Sequence, residues 1–339
     1  MQTRRGVSKR KSSPFVIMWG GKLKQLRSDD MDNEKRLLIE VSDYYYFEGK
    51  TQQQIANQLG LSRMKISRLL QKAKDQGIVK ISIDYGGVYL DVEKQLTEKY
   101  GLNQVIVVPT LENNLKRELA NAAAFYLNNT LNQNDLVAVG WGTTIHEIVQ
   151  YCEGDFKKEV SFSPIIGGHG KSHLNLHATT ICSDLANALN GNAYSLLAPA
   201  FVDSKNDKIA LMKDTFINEV ISTTKKANKA LFSLGSPAFD FSTIHKAGYF
   251  SKEELKQIKE SGTVCDLVSI AFLNEQGERI FKEITERSIG INHSDLKKIP
   301  EKICVSGGYD KHETTKIAVE AGYVNVLVTD NATAEFLLK

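Results

Sequence analysis

The strongest periodicity in the chain lies between residues 34 and 77. In "EKRLLIEVSDYYYFEG", Leu37, Leu38, Val41 and Tyr45 recur at helical spacing, which predicts a first helix. "TQQQIANQLGLSRMKISRLLQKAKDQG" holds two shorter helical patterns separated by Gly60. Thr51, with Gln54 three residues on, makes a capping box, and Ile55, Ala56 and Leu59 form the apolar stripe that Gly60 terminates. Ser62 is placed to cap a second helix whose buried face is Ile66, Leu69 and Leu70. "GIVKISIDY" alternates as a short strand, a candidate wing. "VYLDVEKQLTEKYGL", with Leu90, Val92, Leu96 and Tyr100, reads as a connecting helix and a dimer contact.

Beyond about residue 101 the pattern changes. Short β-branched runs ("QVIVVP", "DLVAVGWG", "VSFSPIIGG", "KALFSLGSP", "DLVSIAFL", "KICVSGG", "VNVLVTD") alternate with helical stretches such as "LKRELANAAAFYLNNTL" and "HETTKIAVEAG". Strands alternating with helices predict an open α/β domain with a parallel sheet, whose ligand crevice lies at the carboxyl ends of its strands. Several of the runs end in glycine-containing loops: 140–144, 167–170, 235–236 and 307–311. The expected organisation is a disordered basic extension over 1–30, a winged-type helix-turn-helix domain over 31–86, a connecting helix over 87–100 and an effector domain over 101–339.

Charge sharpens the first half of this picture. Residues 1–80 hold 17 Lys and Arg against 8 Asp and Glu, whereas the remainder holds 26 against 32. A basic head on a mildly acidic body points to a polyanion partner for the head. The packing of a helix-turn-helix leaves Ser62, Arg63, Met64, Lys65, Ser67, Arg68 and Lys72 facing outward on the second helix, with Thr51 and Gln52 at the start of the helix before it. Arginine and lysine there can reach guanine and phosphate in the major groove of operator DNA, and half-site recognition calls for at least a dimer. The four cysteines are far apart with no CxxC pair, which fits a reducing cytoplasm, and no run approaches the roughly 18 apolar residues of a membrane span.

In the body, "GWGTT" combines two permissive glycines with two hydroxyls. Gly142, Thr143 and Thr144 before a helix suit an anion such as phosphate, although a plain tight turn is the alternative reading. The loop lacks the lysine and spacing of a nucleotide P-loop and is not GxGxxG. "SGGYDK" repeats the idea with Lys311, a surface lysine after a turn being the alternative. Together the loops point to a small phosphorylated ligand.

These motifs, with "VGWGTTIHEIVQ", "IIGGHG", "ITERSIGI" and "VSGGYDKHETTKIAVEAGYVNVLVTDNATAEFLL", make the chain resemble the SorC/DeoR-type sugar-binding transcriptional regulators from about Glu34 onward. The resemblance implies a DNA-binding head and an effector domain related in fold to glucosamine-6-phosphate deaminase and ribose-5-phosphate isomerase. It implies a homodimer or homotetramer, a phosphorylated sugar as effector, no cofactor, and control, as a repressor, of a carbohydrate catabolic operon. Carried over residue by residue, Gly142, Thr143 and Thr144 hold phosphate, Gly167 and Gly168 approach the sugar, and Asp266 and Lys311 contact hydroxyl or phosphate oxygens. The chain departs from the family at Ile166, where a polar or basic residue is common, and at Ile270, where an arginine is common. Two alternative readings stand beside this one: a sugar-phosphate isomerase or deaminase using Asp266, Glu286 and His146, and a metal-responsive regulator using His169, His173 and His177 at i, i+4 and i+8.

Overall fold

The computed structural model describes residues 29–79, 89–110, 114–154, 159–168, 170, 173–237 and 250–339. The chain divides into two units, Met1–Asp84 and Tyr85–Lys339. The 1–30 extension, all but its last two residues, and most of the strand expected in "GIVKISIDY" lie outside the described residues.

The first unit is a three-helix head: α1 (Asp29–Tyr46), α2 (Gln52–Leu59) and α3 (Arg63–Asp75). Local chemistry sets each boundary. Thr51 and Gln54 form the capping box at the start of α2, and Gly60 ends it in the left-handed region at φ 64°. Ser62 then caps α3 by accepting the Lys65 N–H at 3.2 Å. Leu38 and Val41 from α1, Ile55 and Ala56 from α2, and Ile66, Leu69, Leu70 and Ala73 from α3 close a small separate core. Tyr45, expected on the buried face of α1, is instead exposed, its ring edge-on to Tyr46.

The second unit opens with α4 (Leu90–Tyr100), the expected connecting helix, which packs against the α/β body. Leu96 is fully buried there, while Leu90 stays half exposed. The Glu93 carboxylate accepts the Val107 N–H at 2.8 Å. At the other end of α4, Lys99 Nζ and Tyr100 Oη both donate to the Leu337 carbonyl, at 2.7 and 2.8 Å. The body continues through β1 (Gln104–Val108), α5 (Leu115–Thr130), β2 (Leu136–Val139), α6 (Thr143–Val149), β3 (Ser161–Pro164), α7 (Ala178–Ala188), β4 (Asn192–Ala193), α8 (Lys205–Leu211), α9 (Thr215–Thr224), β5 (Lys229–Phe232) and β6 (Leu234–Gly235). It ends with α10 (Lys252–Glu260), β7 (Cys265–Leu267), β8 (Ala271–Leu273), β9 (Arg279–Ile280), α11 (Lys282–Thr285), α12 (His293–Lys298), β10 (Glu301–Val305), α13 (His312–Glu320), β11 (Val326–Asp330) and α14 (Asn331–Leu338).

Seven strands form one parallel sheet in the order β1-β11-β10-β5-β2-β3-β4. Both faces are covered, which is why its strands read as nearly continuous apolar runs. Val137 and Val139 join one apolar cluster with α5, α6 and α7, while Ala138 between them joins the cluster on the opposite face. From β2 the chain moves outward to β3 and β4, then returns to β5 and moves the other way to β10 and β11. The order therefore reverses between β2 and β5, the switch point at which open α/β sheets bind ligands.

One expected strand is different. "DLVSIAFL" is not a run of the parallel sheet but a hairpin, β7 and β8, in a second, antiparallel sheet of order β6-β7-β8-β9. Val268 and Ser269 turn the chain with φ of 52° and 61°, and the Ile270 N–H closes the turn on the Leu267 carbonyl at 2.9 Å. A β-branched residue at positive φ is strained. The Asp266 carboxylate holds this turn by accepting the Ser269 N–H at 2.7 Å.

Candidate functional site

On the head, Arg63, Met64, Lys65, Ser67 and Arg68 are all exposed on one side of α3, and Met64 keeps two-thirds of its surface in water. Among the described residues no carboxylate pairs with Arg63, Lys65 or Arg68. Lys72 departs from the expectation of an unbalanced basic helix, because its ammonium lies 2.6 Å from Glu34 on α1. Ser62 and Thr51 spend their hydroxyls on capping, and Gln52, half buried, follows Thr51 as the first residue of α2.

In the body, the loop leaving β2 meets the loop leaving β5 at the switch point. Gly140 is required there: a Cβ would stand 3.0 Å from Phe232 Cβ and 3.2 Å from Val268 Cγ1. Gly142 adopts φ 108°, and its N–H is spent on the Leu176 carbonyl at 3.0 Å, so its contribution is conformational. Thr143 and Thr144, both half buried, open α6. The first intrahelical bond is donated by His146 to Gly142. Lys116, on the first turn of α5, donates to Thr143 Oγ1 at 3.1 Å. Nothing in the local pattern of "GWGTT" announces this lysine, which lies 27 residues earlier.

Across the switch point sit Asp266 and Lys311. Asp266 is buried, and Gly235 lies so close that a Cβ there would be 2.7 Å from Asp266 Oδ2. Burial pushes the Asp266 carboxyl up to about 6, against the Ser269 N–H and the nearby Lys311 charge. Lys311 donates to the Leu234 carbonyl at 2.7 Å, and burial lowers its pKa although Asp310 and Asp266 oppose this. It is thus not the surface lysine of the alternative reading. Thr314 and Ser236 tie the same corner together through the Gly235 and Asp310 carbonyls.

Asp330, at the end of β11, is a fully buried carboxylate that sequence reasoning passed over. It accepts from Thr110, Thr333 and the Gly308 N–H, and so ties the end of β1 to the "SGGYDK" loop. Burial raises its pKa, but these hydrogen bonds outweigh that and hold it below the usual carboxylate range. The Gly308 N–H is therefore spent on Asp330.

Packing requires the first glycine of "IIGG" and crowds the second. A Cβ on Gly167 would lie 2.4 Å from the Ala198 carbonyl, and one on Gly168 would lie 3.0 Å from His177 Nδ1. Ile166 is fully buried and bridges to Gly290, and Ile270 is buried in the hairpin turn. Of the three histidines, His173 precedes a 3-10 turn and His177 is the N-cap of α7, so these two do not share a helix face; His169 lies outside the described residues. Among the described residues no group of three or more His, Cys, Asp or Glu is arranged to hold a metal ion. The acid/base set of the enzymatic rival is likewise dispersed in its bonding, Glu286 pairing with Lys205 at 3.3 Å and His146 with Asn175 at 3.3 Å. No described helix is long and apolar enough to cross a membrane.

Comparison with known proteins agrees with this layout. Residues 88–339 match the Sugar-bind family, a sugar-binding domain, and residues 32–76 match Sigma-70, region 4. The chain is 34% identical over 315 residues to the deoxyribonucleoside regulator of Bacillus subtilis (strain 168), covering 91% of this chain and 99% of that one. It is 30% identical over 314 residues to the transcriptional regulator LsrR of Escherichia coli (strain K12), covering 90% and 95%. Among solved structures, the full-length sorbitol operon regulator SorC from Klebsiella pneumoniae aligns with a TM-score of 0.71 at 29% identity, covering 91% of this chain and all of that one. With a sugar-binding family model matched over most of the chain and regulators at least 30% identical along nearly their whole length, the chain belongs to the SorC/DeoR-type family of sugar-binding, DNA-binding transcriptional regulators.

Proposed function

We propose that this regulator controls a carbohydrate catabolic operon as a repressor, that its effector is a phosphorylated sugar bound at the β2/β5 switch point, and that it works as a homodimer or homotetramer. The observation that carries the reading is that the β2 loop bearing Thr143 and Thr144 packs through Gly140 against Phe232, at the end of β5, and Val268, on the hairpin that holds Asp266, while Lys311 bonds to Leu234 just beyond β5. The hydroxyls, with the N–H groups of the first turn of α6, suit phosphate, and the buried carboxylate and ammonium suit sugar hydroxyls. Gly167 and Gly168 shape the wall of the crevice over which the sugar lies. On the head, Arg63, Lys65 and Arg68, with Met64 and Ser67 beside them, enter the major groove. Thr51 and Gln52 approach the backbone, and phosphates supply the counter-charge that the head lacks. Effector binding shifts the arrangement of two heads and so their match to paired half-sites.

Fluorescence anisotropy of labelled DNA from upstream of the protein's own operon tests this directly. The protein is titrated first, followed by phosphorylated pentoses, hexoses and pentitols. Salt-sensitive binding that one sugar phosphate shifts is the expected result. Thr144→Ala should abolish that shift and leave DNA affinity unchanged; a normal response from this variant refutes the placement of the site.

A further inference from the structure

The first turn of α5 carries three side chains with two different tasks. Leu115 and Leu119 seat the helix beneath the "SGGYDK" loop, where Cβ atoms on Gly308 and Gly307 would come within 3.4 and 3.0 Å of them. Lys116, between these leucines in sequence, instead sends its ammonium to Thr143 Oγ1 at 3.1 Å. Some exposed lysines of the body sit against carboxylates, as Lys205 does on Glu286 and Lys225 on Asp295. Lys116 is exposed, and among the described residues it has no carboxylate partner; its one bond goes to a neutral hydroxyl.

We propose that Lys116 is a direct ligand of the effector's phosphate, supplying from a separate helix the cation that "GWGTT" lacks. This rests on the sugar-phosphate reading above and deepens it: the group held at this end of the crevice is a terminal phosphate monoester. The hydrogen-bond chemistry is specific. When Thr143 Oγ1 accepts from Lys116, its own proton is free to donate elsewhere, and the ammonium keeps two further N–H donors. Three donors then diverge from one point, carrying a full positive charge, and they suit an anion with several acceptor oxygens better than a single sugar hydroxyl. α5 also braces the loop that bears Lys311. Phosphate drawn onto Lys116 therefore binds against the same helix that supports the sugar side of the crevice.

The test uses the full chain with Trp19→Phe, which leaves Trp141, inside the β2 loop, as the single tryptophan reporter. Its fluorescence is titrated with inorganic phosphate, with the same panel of phosphorylated pentoses, hexoses and pentitols, and with their unphosphorylated parents, at low and high salt. Lys116→Gln should weaken every phosphorylated ligand that binds by about fivefold to tenfold, a range reduced for exposure, and Lys116→Arg by less than about twofold. The difference should shrink in high salt, and weak binding of the parents should be unaffected. Equal phosphate-ligand affinities for Lys116→Gln and the unsubstituted lysine overturn the proposal. So does a loss that falls equally on phosphorylated and unphosphorylated sugars, which would mark Lys116 as a packing residue. A parent chain that binds DNA but answers no phosphorylated compound overturns the sugar-phosphate reading itself, an outcome recognisable without any Lys116 variant. An unchanged thermal unfolding midpoint, read from the same Trp141 fluorescence, confirms that the effector domain of Lys116→Gln is folded.

Discussion

Asp266→Asn should make the effector domain more stable at neutral pH while silencing it. In the native protein the Asp266 carboxyl is buried and titrates near 6 instead of 3.8. Two pK units at 1.36 kcal/mol each mean that holding the ionised form costs the folded state about 3 kcal/mol at pH 7. The sign follows from proton counting. Between about pH 4 and pH 6 the folded state holds a proton that the unfolded state has released, so stability falls as pH rises through that window, and the cost is complete above it. Asparagine keeps the size of the side chain and an oxygen to accept the Ser269 N–H, now at 2.7 Å. Part of the gain is returned because Lys311 loses an opposing charge, although its bond to the Leu234 carbonyl and the nearby Asp310 remain. A net gain of about 1–2 kcal/mol at pH 7.5 corresponds to a Tm rise of about 3–6 °C for a domain of this size.

Thermal unfolding followed by Trp141 fluorescence between pH 4.5 and 7.5 reads the effector domain alone in a Trp19→Phe background. The offset between the variant and its parent should be smallest at pH 4.5, low in the titration window, and widen as pH rises. Operator binding should persist with no effector response. A variant that is less stable than its parent at pH 7.5, or one whose offset is the same at every pH, would refute the reasoning. Asp266 would then be a structural carboxylate that contributes to the fold, not a binding group maintained at the fold's expense.

The head and the crevice wall give two sharper contrasts. Arg68→Ala should weaken operator binding by about tenfold and reduce the salt slope by about one, whereas Lys72→Ala, whose ammonium is already neutralised by Glu34, should weaken it by less than about threefold; anisotropy titrations at several salt concentrations separate the two. Gly167→Ala places a Cβ 2.4 Å from the Ala198 carbonyl and should destabilise the effector domain by about 1–3 kcal/mol, seen as a lower Tm with the DNA-binding head still folded.

What could be read from the sequence was what is decided within a few residues. The caps at Thr51 and Ser62, the left-handed stop at Gly60 and the apolar stripe of each head helix are local bonds and local periodicities, and all but Tyr45 appear where they were expected. The parallel strands were legible because burial on both faces writes them as unbroken apolar runs. The same rule misread "DLVSIAFL". Its composition is that of a buried strand, and the turn at Val268 and Ser269 exists only because the Asp266 carboxylate and the packing against Gly140 hold a strained backbone in place.

The remaining surprises share one cause, which is that charge pairs across distance in the chain. Lys72 finds Glu34 38 residues away, Lys116 finds Thr143 27 residues away, and Asp330 captures the Gly308 N–H from 22 residues downstream. Each partner changes a role that looked settled locally. Lys72 leaves the set of free cations, Thr143 acquires a charged neighbour, and the "SGGYDK" loop gives up the Gly308 N–H. The switch point is where the sheet order reverses, so it gathers residues from strands that the chain visits far apart. A crevice built there has its glycine loops in plain view in the sequence and its charges concealed until the sheet is assembled. Substitutions at Lys116, Asp266 and Asp330 should therefore perturb sensing more than anything in the appearance of their own segments suggests.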